Sequence, residues 1–266
     1  MAVAATSIIP QSASAQTAPD ITLVHGIPGM TVDVAVDGTV VIDNFVPGSL
    51  ANISSFAGQT LANVTVLDDA TQEVIIGPIP QLVVPATGSH SIVAHFDAAN
   101  TPVLTTFANN TNPTAEGTAR FTLRHTAQAS AIDLIIGDQR PIVAAVNGDS
   151  AELDLPDGEL TDAQIAETGG VAVAQIATLD LAANTNTIVY VVGSTDDDTL
   201  DFVVQIVDFQ IAAPTTTTGE STTTNLVPTA VNTGSPIDGS SSLPLIAVAL
   251  GGLVLAGGAM AARRRV

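Results

Sequence analysis

The stretch TLVHGIPGMTVDVAVDG, residues 22–38, decides the fold because a related stretch follows one hundred positions later. That second stretch, TLRHTAQASAIDLIIGD at residues 122–138, keeps the same spacing of threonine, leucine, histidine and aspartate. In the first stretch Val32, Val34 and Val36 occupy alternate positions, and the second stretch alternates in the same way. A period of two residues indicates strands with one buried face. The sequence therefore predicts that one pair of β-strands occurs twice.

Turn signals follow both stretches. Asp37-Gly38 precedes TVVIDNF and is the signature of a two-residue hairpin turn, which requires positive φ. The second stretch carries glycine and aspartate at the same place in reverse order. Short strands with turn residues at intervals of about 8–12 residues favour a sandwich over a parallel sheet. We therefore predict an all-β chain with two tandem β-sandwich domains, at residues 20–112 and 113–212.

One short helix is predicted within the second domain, in the segment LTDAQIAETGG at residues 160–170. Thr161 and Gln164 have the spacing of a capping box, and Gly169 supplies a stop signal. We expect this helix to be a local insertion between strands.

Three segments of the first domain, residues 22–45, 56–67 and 83–96, resemble the secreted bacterial family called domain of unknown function 4397. That family typically reads as a strand ending Val-His-Ala, a Pro/Asp turn, and then Val-Asp-Val-Tyr-Val-Asp-Gly. The likeness runs from about residue 20 to 107 and recurs more weakly from about 119 to 207. The resemblance implies immunoglobulin-like β-sandwiches, often in tandem on exported proteins, with no established activity.

The composition restricts the function. The net charge is −20 and all six basic residues are arginines, so the field of the protein repels phosphates and nucleic acid is excluded as a partner. The acidity is typical either of a generally solvated surface or of acidic loops that hold divalent cations. The absence of cysteine excludes disulfides, thiolate metal sites and a cysteine nucleophile.

The N-terminal segment, residues 1–15, resembles the back half of a secretory signal. A short apolar stretch is followed by Ala13-Ser14-Ala15, which matches an A-x-A cleavage site before Gln16. No lysine or arginine precedes Arg120, so the positive n-region of a signal is missing from the sequence. The segment is therefore an atypical signal, or a signal whose true start lies upstream; a plain disordered tail is the alternative.

The C-terminal region contains a candidate membrane anchor. Residues 243–262 carry no charge, and twenty residues at about 1.5 Å rise match a hydrocarbon core about 30 Å thick. Three arginines follow within residues 263–266, and the positive-inside rule makes this tail cytoplasmic. We predict a single-pass transmembrane helix in the cell membrane with the N-terminal domains outside the cell. An apolar core helix is the alternative interpretation.

The predicted anchor is joined to the domains by a disordered linker at residues 213–242, which is rich in threonine, serine and proline. This composition is typical of stalks, including O-glycosylated ones. The linker and anchor also resemble the sorting tail of Gram-positive surface proteins, whose motif is Leu-Pro-x-Thr-Gly. AVNTG at residues 230–234 keeps the end of that motif and lacks its Leu-Pro, so membrane anchoring is preferred to covalent wall attachment.

Two histidine–aspartate pairs recur in the repeated stretches: His25 with Asp33, and His125 with Asp133. Such a pair can orient an imidazole for base chemistry or for a metal. Alternatively, the histidine bonds a turn carbonyl while the aspartate caps a loop amide. No nucleophile or metal set repeats beside the pairs, so we favour the structural interpretation.

Acidic loops are the candidate metal sites. Asp196, Asp197, Asp198 and Asp201 lie close together in the sequence, and calcium takes six to eight oxygen ligands. Asp68-Asp69 forms a second acidic loop. No EF-hand spacing accompanies either loop, so a solvated hairpin tip is the alternative. Calcium is the only cofactor that the sequence suggests.

The sequence shows no Gly-x-Ser-x-Gly elbow and no glycine-rich phosphate loop, and it contains one tyrosine and no tryptophan. We therefore expect a non-catalytic cell-surface protein with an adhesion, recognition or structural role and an unknown envelope glycan or protein as partner. The alternative is a calcium-dependent binding module that uses the acidic loops. An envelope hydrolase that uses His25 or His125 is a more remote alternative.

Overall fold

The computed structural model describes residues 18–209, and the regular secondary structure of this range is almost entirely β-strand. The first half contains β1 Asp20–His25, β2 Val32–Val36, β3 Thr39–Phe45, β4 Leu50–Asn52, β5 Thr60–Asp68, β6 Val74–Val83, β7 Ser89–Phe96 and β8 Pro102–Asn109, with a 3-10 turn at Ser54–Phe56. No α-helix occurs between residues 18 and 209. The all-β prediction is therefore confirmed.

The strands of the second half begin after a connection at residues 110–117. They are β9 Thr118–His125, β10 Ile132–Ile136, β11 Gln139–Ala145, β12 Ser150–Pro156, β13 Gly158–Leu160, β14 Ala163–Glu167, β15 Ala172–Gln175, β16 Leu179–Leu181, β17 Thr185–Val192 and β18 Asp201–Asp208.

Two four-stranded sheets stack in the first half. One has the order β4-β1-β7-β8, with β1 parallel to β7, and the other has the order β3-β2-β5-β6. The alternation seen in the sequence places Leu23 and Ile92 of the first sheet against Val34 and Val66 of the second. These side chains are almost fully buried, as a sandwich with one buried face per sheet requires.

The second half has the same pairing orders. Its sheets are β12-β9-β17-β18, with β9 parallel to β17, and β11-β10-β14-β15. A short extra pair, β13-β16, has no counterpart in the first half. The core again lies between the sheets, with Phe121 and Val189 packed against Leu134 and Ile165. The exact domain boundaries stay a prediction.

The predicted helix at residues 160–170 is wrong, because this segment forms β14. β14 lies between β10 and β15, which supply its backbone with hydrogen bonds on both sides. Ile165 is fully buried in the core of the second half. These partners are distant in sequence and override the capping signal of Thr161 and Gln164. Gly169 marks a chain reversal, with a φ of 72° in the turn that leads to β15.

The two halves pack on each other through the outer faces of β1-β7-β8 and β9-β17-β18. Val24, Val93 and Phe107 of the first half contact Tyr190 and Val203 of the second half in one apolar cluster. All eight residues of β17 are buried, and burial on both faces accounts for its unbroken apolar run IVYVV at residues 188–192. Burial on both faces makes β17 a core element of the whole described region.

The predicted signal segment, linker, transmembrane helix and basic tail lie outside the described residues. Between residues 18 and 209, no helix is long and apolar enough to cross a membrane.

Candidate functional site

His25 ends β1 and is fully buried. Its Nε2 donates to the carbonyl of Met30 at 2.9 Å, while Nδ1 accepts the amide hydrogen of Ile27 at 3.3 Å. The carbonyl only accepts and the amide only donates, so the ring is neutral with its proton on Nε2. Burial lowers the pKa of His25 and favours this neutral form.

His125 has the same arrangement at the end of β9. Nε2 donates to the carbonyl of Ser130 at 3.1 Å, and Nδ1 accepts from the amide of Ala127 at 3.4 Å. The side chain is fully buried, and burial lowers its pKa. Both histidines therefore hold the loop that follows their strand, and neither ring nitrogen is left free for a substrate.

Asp33 lies in β2 and is also buried. One carboxylate oxygen accepts the amide of Asn44 at 3.0 Å, and the other accepts the Gln72 side chain at 3.0 Å. These hydrogen bonds, that from Gln72 foremost, lower the pKa of Asp33. Asn44 has a φ of 54°, so the carboxylate fixes a residue in a left-handed conformation where β3 departs from regular pairing.

Asp133 accepts equivalent hydrogen bonds in β10. Its carboxylate accepts the amides of Ala144 at 2.8 Å and Gly169 at 3.0 Å, and it pairs with the guanidinium of Arg140 at 2.7 Å. These bonds lower its pKa to about 2, with the backbone amides as the largest cause. Ala144 has a φ of 56°. No hydrogen bond joins either histidine to its aspartate in the described region.

A group of three carboxylates surrounds the first of these aspartates. Asp33, Asp43 and Asp69 bring ligand oxygens within 4.8 Å of one another. Asp69 belongs to the acidic loop noted in the sequence, whereas Asp43 was not singled out because its approach depends on the irregular pairing of β3. Carboxylate oxygens are ligands for hard divalent cations, and these three supply part of the six to eight oxygens that calcium takes.

The four other metal candidates are arranged differently. The oxygens of Asp196, Asp197, Asp198 and Asp201 do not form a group of that kind in the structure described. Asp196 accepts a hydrogen bond from the Gln128 side chain at 3.2 Å, and its amide donates to Ser194 Oγ at 3.1 Å. The loop is thus held by its own polar contacts.

A polar network between the two halves was not foreseen from the sequence. Arg124 is buried and donates to the Tyr190 hydroxyl at 2.8 Å and to the Asn109 side chain of the first half at 2.8 Å. Tyr190 donates to Gln205 at 2.7 Å, and Gln205 also accepts the hydroxyl of Ser91 at 2.8 Å. The guanidinium carbon of Arg124 lies 4.6 Å from the centre of the Phe107 ring.

Burial has a cost for these groups, since desolvation lowers the pKa of Arg124 and raises that of Tyr190. The hydrogen bonds across the contact offset that cost only while the halves are docked. The network therefore ties the stability of one half to the position of the other.

The pairing orders define the class of this molecule, an all-β protein of stacked four-stranded sheets. Residues 19–135 match the family described as Domain of unknown function (DUF4397), which is the family that this part of the sequence resembles. The match spans the first half and continues through β9 into β10. No curated protein shows significant similarity to the chain.

Proposed function

We propose that this is an exported cell-surface protein with a non-catalytic role in recognition, adhesion or envelope structure. Two immunoglobulin-like sandwiches form its outer body, and the threonine-rich linker carries them away from a single transmembrane helix. An envelope glycan or protein is the proposed partner. The acidic surface disfavours nucleic acid.

The recurring titratable residues serve the fold, and this supports a non-catalytic role. His25, His125, Asp33 and Asp133 are all buried, and each has its polar atoms bonded to backbone or to a neighbouring side chain. A catalytic base needs a nitrogen or oxygen within reach of a substrate proton. These four side chains support loops and irregular pairing instead.

An array of envelope glycans, peptidoglycan fragments and envelope proteins tests the recognition role. The full-length chain, labelled and kept in a non-ionic detergent, is applied with and without calcium. Selective binding supports the proposal. Turnover of an array component that is lost on changing His25→Asn or His125→Asn contradicts it and favours the hydrolase alternative.

A calcium-dependent binding module is a second candidate, favoured by the convergence of Asp33, Asp43 and Asp69. Calcium bound there stabilises the folded state by mass action, so millimolar calcium raises Tm. The rise disappears in Asp43→Asn with Asp69→Asn.

The matched control for this test changes the other acidic loop, as Asp197→Ala with Asp198→Ala. If the rise is lost in this control and kept in the first variant, the ion lies in the loop at residues 194–201. If the wild-type chain shows no rise at low ionic strength, the calcium candidate is discarded.

A further inference from the structure

A cleft opens beside β15, the outermost strand of its sheet. Val173 of β15 forms one wall, and Thr195 and Asp198 of the loop before β18 form the other. The cleft has a volume of about 410 Å³. We call it the β15 cleft; its lining residues are Glu167, Val173, Ala174, Thr195, Asp198 and Leu200.

β15 presents an open edge with exposed apolar side chains. Val171, just before β15, is 82% exposed, and Val173 of β15 is 50% exposed. An outermost strand has one row of backbone N–H and C=O groups without strand partners, which can pair with another extended chain. The corresponding edge strand of the first half, β6, contains Pro78 and Pro80, which remove such donors. β15 has the sequence AVAQ and no proline, and its pairing with β14 shifts once, at Val173.

The cleft is acidic and the described region has no spare cation near it. Glu167 and Asp198 line it, and Asp196 lines the adjoining hollow of about 280 Å³, which shares Glu167 and Thr195 with the cleft. The three arginines within residues 18–209 already have partners: Arg120 pairs with Asp154, Arg124 lies in the buried network, and Arg140 pairs with Asp133 and donates to the carbonyl of Gly170 before β15. A partner must therefore bring the positive charge.

The wall facing β15 is preformed. Gly193 has a φ of 87°, and a Cβ there would lie 2.0 Å from the carbonyl oxygen of Thr199, so only glycine fits the turn. The amide of Thr199 donates to the carbonyl of Ser194 at 3.0 Å, which closes the loop. Ala98 of the first half also lines the adjoining hollow, so the docked halves together complete this surface.

We propose that the β15 cleft binds an extended basic segment of a partner protein, which adds as a strand to β15. Alternate side chains of such a segment face Val173, while its lysines or arginines face Glu167 and Asp198. This inference rests on the proposed recognition role and names the class of partner.

A second copy of the chain is a less suitable occupant. Each copy carries a net charge of −20, so two copies repel each other unless cations screen them. Concentration-dependent dimerisation blocked by Val173→Asp would contradict the proposal and assign the edge to self-association.

The test uses a fluorescent peptide of alternating lysine and valine, titrated with the full-length chain in non-ionic detergent by fluorescence anisotropy. We expect saturable binding that weakens about five-fold in Glu167→Gln with Asp198→Asn. The control variant, Asp157→Asn with Glu159→Gln, removes the same charge from exposed positions outside the cleft and keeps wild-type affinity. A lysine–proline peptide of equal charge binds more weakly, because proline cannot complete strand pairing.

Three results would overturn the inference: no binding of the lysine–valine peptide, equal weakening in the cleft and control variants, or equal affinity for the lysine–proline peptide. The last two results identify a diffuse attraction of opposite charges. If the lysine–valine peptide does not bind but the chain still binds an array component selectively, the recognition role stands and only the β15 cleft is excluded as a binding site.

Discussion

At the scale of single residues, two buried aspartates hold two irregular positions in neighbouring strands. Asp33 accepts the amide of Asn44, and Asp133 accepts the amide of Ala144. Asparagine tolerates the left-handed conformation, whereas alanine does so at a cost of roughly 1–2 kcal/mol. Ala144 thus carries backbone strain that the bond to Asp133 sustains.

Ala144→Gly is expected to raise the free energy of unfolding by about 1 kcal/mol, because glycine adopts a φ of 56° without steric cost. The side chain is exposed, so little packing is lost. Urea denaturation measures the change. The control Ala151→Gly lies in the regular strand β12 and lowers stability; the same sign in both variants would refute the account of Ala144.

The buried histidines predict a pH dependence of stability. Burial lowers the pKa of His25, His95 and His125 in the folded protein. A lowered folded pKa means that the unfolded chain binds protons more readily, so stability is complete above the unfolded pKa of about 6.5 and falls as the pH drops below it. Urea unfolding between pH 7.5 and 5.5 measures the slope.

His95→Asn is the informative variant for this slope. His95 is buried, with ring hydrogen bonds to the Phe96 carbonyl and the Thr105 hydroxyl. Its replacement removes one proton-binding group, so the free energy of unfolding changes less with pH. This holds even if the variant is less stable at every pH. His90→Asn, at a partly exposed position, changes the slope less. A wild-type stability that does not vary over this pH range would show that the histidines are not held neutral.

Residues 160–170 show, at the scale of secondary structure elements, where local sequence signals fail. The strands around the repeated stretches follow from period-two alternation, because Val32 and Val34 need one buried face. The segment around Thr161 has a local capping pattern, yet its backbone finds partners in β10 and β15. Such partners depend on tertiary structure, which a local pattern does not encode.

Ile165→Ala is expected to lower the free energy of unfolding by about 2–5 kcal/mol, because Ile165 is fully buried in the central strand β14. Val173→Ala in the neighbouring β15 removes a half-exposed side chain and costs under about 1 kcal/mol. Chemical denaturation of both variants makes the comparison. Equal losses would mean that β14 is not the core strand described.

The whole molecule is organised by the contact between its two halves. Arg124 and Tyr190 lie 66 positions apart, and the sequence marks Arg124 only as one of a few cations. Its role depends on the outer face of β9 meeting Asn109 and Phe107 of the first half. The sequence also gives no signal for Asp43 beside Asp33, because the irregular pairing of β2 with β3 brings these two carboxylates together.

Arg124→Met is expected to weaken the coupling of the halves. The Tyr190 hydroxyl and the Asn109 oxygen each lose a hydrogen bond from a charged donor, and a bond of this kind contributes about 1.5–3 kcal/mol. We expect calorimetry to show one thermal transition in the wild-type chain and two in the variant. Val204→Ala, at an exposed position of β18, keeps one transition. A single unshifted transition in Arg124→Met would contradict a coupled interface.

The membrane topology of the full-length chain, in the cells that produce it, tests the proposed surface location. One epitope tag is placed after Gln16, downstream of the predicted cleavage site, and another after Val266. Protease is then added to intact cells. We predict that the first tag is digested from the cell surface while the second stays protected in the membrane fraction. Protection of both tags, with the chain in the soluble cytosol, would contradict it.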